Sequence, residues 1–228
     1  KGLVFAGLGG GASTLQYADS SLYGTHGTLT NMDPATDWVF DPTLGRFVND
    51  FDGKDDYISF GSKAWGYQTG DWTFSAWIKA ASGIAQYDTA FGNCDTSGSG
   101  FRLWTRDASS HKWYWETNGA TNNVVSLAAI AIGAWHHVAC IVQGVSDSVG
   151  NISLYIDNVL QNTKANASLS SGGVWQIGSH LTTSRFFPMQ LGDMLIHTRL
   201  LTDSERSALA DPSNTMLSGL ILPPRRVV

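Results

Sequence analysis

The chain has 228 residues, of which 43% are hydrophobic and 14% charged, and its formal net charge is −5. Its only run of basic residues is the terminal Arg225-Arg226 pair, so it lacks the electrostatic footprint of nucleic-acid binding. No apolar run approaches the roughly 20 residues needed to cross a bilayer, so membrane insertion is not expected. Nine Trp, ten Phe and seven Tyr stand against 25 Gly, the balance of a protein built from short strands and many turns. Two cysteines, Cys94 and Cys140, are too few for a disulfide framework, which leaves open one bridge or two buried thiols.

At the start, KGLVFAGLGGGAS has neither an apolar signal-peptide core nor a cleavage pattern, and Lys1 in place of Met points to trimming or to an origin inside a larger protein. Next comes DFDGKDDYISFG (50–61), with four aspartates. An EF-hand loop fails here, because the glycine comes too early at Gly53 and position twelve is Gly61 instead of Glu. A hairpin fits better, with RFVNDF as one strand, DGKD as the turn and DYISFG as the return.

Beyond it, WTFSAWIKA (72–80) alternates strictly, placing Trp72, Phe74, Ala76 and Ile78 on one face and Thr73, Ser75, Trp77 and Lys79 on the other. The same period predicts strands at 100–106, 111–118, 135–143, 150–158, 174–179 and 189–199, separated by turn-rich stretches such as NCDTSGSG and ETNGATNN. One helix is predicted late, where Thr202 and Glu205 form a T-x-x-E capping box and Pro212 closes the segment. LSGLILPPRRVV then reads as extended, since Pro223-Pro224 excludes helix. No repeat and no compositional break divides the chain. It is read as all-β, one antiparallel β-sandwich over 1–218 with a short C-terminal helix and an extended tail at 219–228.

The order FDGKDDYISFG, GDWTFSAWIK, WHHVACIVQ, SLYIDN, LGDMLIHTRLLTDSE resembles the jelly-roll domains of the concanavalin A-like, laminin-G-like superfamily along nearly the whole chain. The stretch DSSLYGTHGTLTN is similar to the bacterial and phage branch, although Ser21-Leu22-Tyr23-Gly24 stands where that branch often carries Ser-Gly-Asn-Gly. The resemblance implies a calcium ion held by Asp19, the Gly24 carbonyl and Asp193, an oxygen-only set suited to a hard cation. The alternative is an Asx turn at Asp19 and a solvated strand position for Asp193.

Catalysis is not expected. Glu116 and Glu205 are the only glutamates and Glu205 belongs to the helix cap, so the E-x-D-x-E strand motif of laminarinase-like relatives cannot be built. Asp50 and Asp52 flank a turn, where retained water would not raise a pKa as an acid catalyst requires. His136 and His137 are adjacent on a strand and point to opposite faces, and no zinc-protease, nucleophile-elbow or phosphate-loop motif occurs.

Recognition remains. On the strand at 111–118, Trp113 and Trp115 are expected in the core, leaving Tyr114 outward together with Arg102 and Trp104 of the preceding strand. An aromatic beside Arg, Asp or Asn suits the apolar faces and hydroxyl rims of sugars, and Asn93, Asp95 and Asn118 in the adjoining loops could add polar contacts. Two functions follow. One is a non-catalytic module for a glycan or cell-surface polysaccharide; the other is a structural or virion-associated protein whose tail docks on a partner or parent protein. Both place the chain outside the cell or on a virion.

Overall fold

The computed structural model describes residues 2–8, 16–62, 70–94, 98–106, 110–119, 122–146, 148–170, 172–180 and 185–214. Its strands are β1 (Leu3–Gly7), β2 (Gln16–Tyr17), β3 (Gly27–Thr30), β4 (Trp38–Asp41), β5 (Arg46–Phe51), β6 (Tyr57–Gly61), β7 (Trp72–Ala80) and β8 (Thr89–Gly92). They continue with β9 (Phe101–Thr105), β10 (Trp113–Thr117), β11 (Asn123–Val125), β12 (Trp135–Ser146), β13 (Val149–Ile156), β14 (Val159–Ser168), β15 (Trp175–Ile177) and β16 (Met189–His197), and a helix α1 (Asp203–Leu209) follows. One antiparallel sheet runs β14-β13-β12-β7-β16-β5-β4, with β1 also on β16; the second runs β11-β10-β9-β8-β15-β6-β3-β2.

The sheets face each other across a core that the alternating patterns dictate. Trp72, Phe74, Ala76 and Ile78 of β7 are all buried in it, and so are Trp113 and Trp115 of β10. Rings from opposite sheets lock the layers together. Trp72 lies parallel to Trp115 at 5.9 Å, and Phe74 to Phe91 at 4.0 Å. Such offset pairs add about 1 kcal/mol each beyond the area they bury. Cys94 and Cys140 are buried and do not form a disulfide.

The reverse side of β7 is also covered. Trp77 packs with Leu44 and Val48, and its indole N–H donates to the carbonyl of Leu209 at 3.0 Å, tying α1 to the first sheet. The helix begins as the sequence requires: the Thr202 hydroxyl accepts from the Glu205 N–H while the Glu205 carboxylate accepts from the Thr202 N–H.

The hairpin expected at 50–61 is corrected. β5 pairs with β4 and β16, whereas β6 pairs with β3 and β15 in the other sheet. The turn between them is a crossover from sheet to sheet, and Phe51 of the first sheet meets Ile58 and Phe60 of the second in the core between the layers. Gly53, at φ +73°, presses against Pro188, a place closed to any larger residue. Asp52 accepts from the Lys54 N–H, and Asp56 accepts from the Asp52 N–H.

β14 was not predicted. It is an edge strand exposed along most of its length, so it has no apolar alternation to read. A two-residue turn at Asp157-Asn158, both at positive φ, folds it back on β13.

Candidate functional site

Strand phase places Arg102 and Trp104 of β9 and Tyr114 and Glu116 of β10 on the outer face of the second sheet, opposite the core-facing Phe101, Leu103, Trp113 and Trp115. The pairing is in register: Tyr114 lies across from Trp104, and Glu116 from Arg102. The sequence-derived trio of Arg102, Trp104 and Tyr114 is therefore brought together.

Its depth differs from the expectation. Only Tyr114 is half-exposed, while Trp104 is 2% and Arg102 9% exposed. A second layer covers them. Tyr87 stacks on Trp104 at 5.4 Å and 17°, and the Arg185 guanidinium lies 4.7 Å over Tyr87. Below, the Arg102 guanidinium sits 3.6 Å from the Trp104 ring. The result is a column of Arg102, Trp104, Tyr87 and Arg185, with Tyr114 beside Trp104 at 6.0 Å. Cations over aromatic faces are favourable, and more so when desolvated.

Glu116 anchors the column. Its carboxylate, 0% exposed, accepts from Arg102 at 3.1 Å. Burial pushes its pKa up, and Arg102, Arg106 and the Trp104 indole oppose that rise. Glu116 was missed as a site residue, although its two-residue spacing from Tyr114 puts it on the same face. Tyr87 and Arg185 carried no such signal, since each lies outside the strands and reaches the column only through the tertiary fold.

The loop residues have other duties. Asn93 is a buried pin whose side-chain oxygen accepts from the Phe101 N–H at 2.9 Å and whose carbonyl accepts from the Gly173 N–H at 2.6 Å. Asn118 shapes a turn at φ +48° and donates its N–H to the Gly100 carbonyl. Asn93 is buried, Asn118 is half-buried, and Asp95 lies outside the described residues.

The residues expected to hold calcium sit near one another: after burial, Asp193 and then Asp19 push the Tyr17 phenol pKa up. Both carboxylates are committed to protein donors. Asp19 accepts from the N–H groups of Ala6, Ser21 and Thr25 and from the Ser21 hydroxyl, while Asp193 meets the Arg46 guanidinium at 2.8 Å. Gly24, at φ +60°, turns the intervening loop. A cation already stands at Asp193, so this donor set is a poor fit for a metal. Asp52, Asp55 and Asp56 bring carboxylate oxygens within 4.8 Å of one another, and two of the three already accept from the turn's own N–H groups.

Two stacked antiparallel sheets with a jelly-roll strand order define the fold class, and the chain belongs to the concanavalin A-like lectin/glucanases superfamily, whose Laminin_G_3 family matches residues 52–205. No curated protein matches the chain. Among solved structures it is similar to the binding domain of Paraclostridial Mosquitocidal Protein 1 (16% identity, TM-score 0.66), over 92% of this chain and 52% of that one. It is also similar to domain 4 of AbnA, an extracellular arabinanase of Geobacillus stearothermophilus solved with arabinotriose (15%, 0.66), over 92% of this chain and 98% of that one. The Trypanosoma rangeli sialidase resembles it too (14%, 0.63), over 92% of this chain and 32% of the enzyme. The chain thus spans about half of the toxin binding domain and nearly all of the arabinanase domain.

Proposed function

We propose that the chain is a non-catalytic carbohydrate-binding module, working outside the cell, that receives a sugar on the outer face of the second sheet beside Tyr114 and Tyr87. The observation that carries this reading is the aromatic column on the outer face: two half-exposed tyrosines flank a buried indole that the Arg102 guanidinium contacts. Flat aromatic surface fixed this way suits the C–H face of a sugar ring. The arabinotriose-bound arabinanase domain and the toxin binding domain support it by likeness of fold, although a fold alone does not assign a function.

Among the described residues, the carboxylates at this face speak against hydrolysis. Glu116 is buried against Arg102, and Asp88 accepts from the Ala85 N–H of its own turn, so neither is presented to a substrate. Calcium is not required for this reading, and the attachment role of the tail falls on residues 215–228, outside the described residues.

A glycan array probed with the native chain and with Tyr114→Ala and Tyr87→Ala tests the proposal, with thermal melting as the control for folding. Specific binding should weaken about fivefold or more in each variant. A blank array, or binding indifferent to both substitutions, refutes it.

A further inference from the structure

One corner of this face is electropositive on an otherwise acidic chain. Arg106 and Lys112 flank the last registered pair, Thr105 with Trp113, so strand phase returns them to the side of Trp104 and Tyr114. Arg185 adds a third cation on top of Tyr87. Arg106 and Arg185 are exposed, and none of the three makes an ion pair with a described residue, in contrast to Arg102, which contacts Glu116. Two buried carboxylates act on them from below: Glu116, shared with Arg102, on Arg106, and Asp88, turned toward the Ala85 N–H, on Arg185.

Backbone geometry marks the same corner. Tyr87, His111 and Arg185 are held at φ +73°, +43° and +68°. Asn, Asp and His take this conformation more readily than other side chains, so Tyr87 and Arg185 are the bulky outliers among the described residues. Bulky side chains in that region are strained, and such strain concentrates where a surface is shaped for a ligand. Here it positions Tyr87 on the column and sets Arg185 over it, while the turn at His111 leads through Lys112 into β10.

We propose that the ligand of this face is an anionic glycan whose carboxylate or sulfate groups are met by Arg106, Lys112 and Arg185 while a sugar ring rests on Tyr114, at the edge of the Tyr87 column. This rests on the binding-module reading and adds the ligand's charge class. A guanidinium fork matches a planar carboxylate or a sulfate well. Because the whole chain is acidic, attraction to a polyanion must be local to this corner.

The test compares, by calorimetric titration, pairs that share a backbone and differ in charge: polygalacturonate against its methyl ester, and dextran sulfate against dextran, alongside the neutral glycans of the array. The acidic member of at least one pair should bind and its neutral partner should not. Binding should fall steeply between about 0.1 M and about 1 M NaCl, as the screening length drops from about 10 to about 3 Å. Arg106→Gln and Arg185→Gln should each weaken it about fivefold. Equal binding of both members, or no effect of either substitution, overturns the charge assignment and leaves the binding module standing. Binding to the neutral array alone does the same. Failure to bind any glycan removes both.

Discussion

Removing the cation from the buried pair is the most demanding test of the site's architecture. In Arg102→Met the aliphatic stem is kept but Glu116, fully shielded from solvent, loses the group that compensates its charge. Breaking a buried pair from one side costs about 3–5 kcal/mol, because the remaining ion is stranded in a medium that solvates it poorly. For a chain of this size that is a fall in Tm of about 10–15 °C. The contact of the guanidinium with Trp104 at 3.6 Å is lost as well. The pH dependence has a fixed sign. Glu116 already has a raised folded-state pKa from burial, with Arg102 opposing it; without Arg102 it rises further above the unfolded value. The folded state then binds the extra proton as pH falls, so the deficit is greatest at alkaline pH and is relieved on acidification through the folded pKa. The double variant Arg102→Met/Glu116→Leu should recover much of the loss. Urea unfolding at several pH values, followed by tryptophan fluorescence, reads all three. A loss below about 1 kcal/mol, or one independent of pH, would refute the argument.

Gly172→Ala should destabilise by about 1–3 kcal/mol, because a methyl there overlaps the carbonyl of Asn93 and must disturb its bond to Gly173; a chemical melt unchanged from the native chain would contradict this. Acid sensitivity should come in part from His137 and His197, whose pKa values burial pushes down to about 4. The unfolded chain takes up these protons below about 6.5, so stability is lost as pH falls from there toward 4. Burial pushes Asp56 and Asp88 up to about 6, which acts in the opposite direction over nearly the same window. His137→Leu should therefore show a smaller drop in Tm between pH about 6.5 and about 4 than the native chain, and an identical profile would exclude His137 as a source. Calcium should leave Tm where it stands in chelator, since Asp193 is bound to Arg46 and Asp19 to four donors. A cation at 100 times its Kd would instead add about 2.7 kcal/mol, a rise of about 5–10 °C, and seeing that rise would show that the two carboxylates rearrange into ligands.

What could be read without a structure was whatever is local and periodic. The alternation of Trp72, Phe74, Ala76 and Ile78 specified a strand and the side of it that is buried, and Trp113 and Trp115 followed by the same rule. The capping box of α1 was legible because its two partners lie three residues apart. The faces of β9 and β10 were also legible, so Arg102, Trp104 and Tyr114 were grouped correctly. Long-range pairing was not. The segments around Gly53 look the same whether their strands join one sheet or two, and only the pairing of β5 with β16 and of β6 with β3 and β15 decides between them. Exposure was likewise undetermined, since Trp104 points outward by phase and is buried by Tyr87, a residue seventeen positions away that reaches it through a left-handed turn. The sequence by itself determined strand, face and helix cap, because those depend on neighbours within a few residues. Tertiary structure alone decided which sheet each strand joins, what covers the outer face and where its cations gather, because those depend on contacts between segments that sequence order does not bring together.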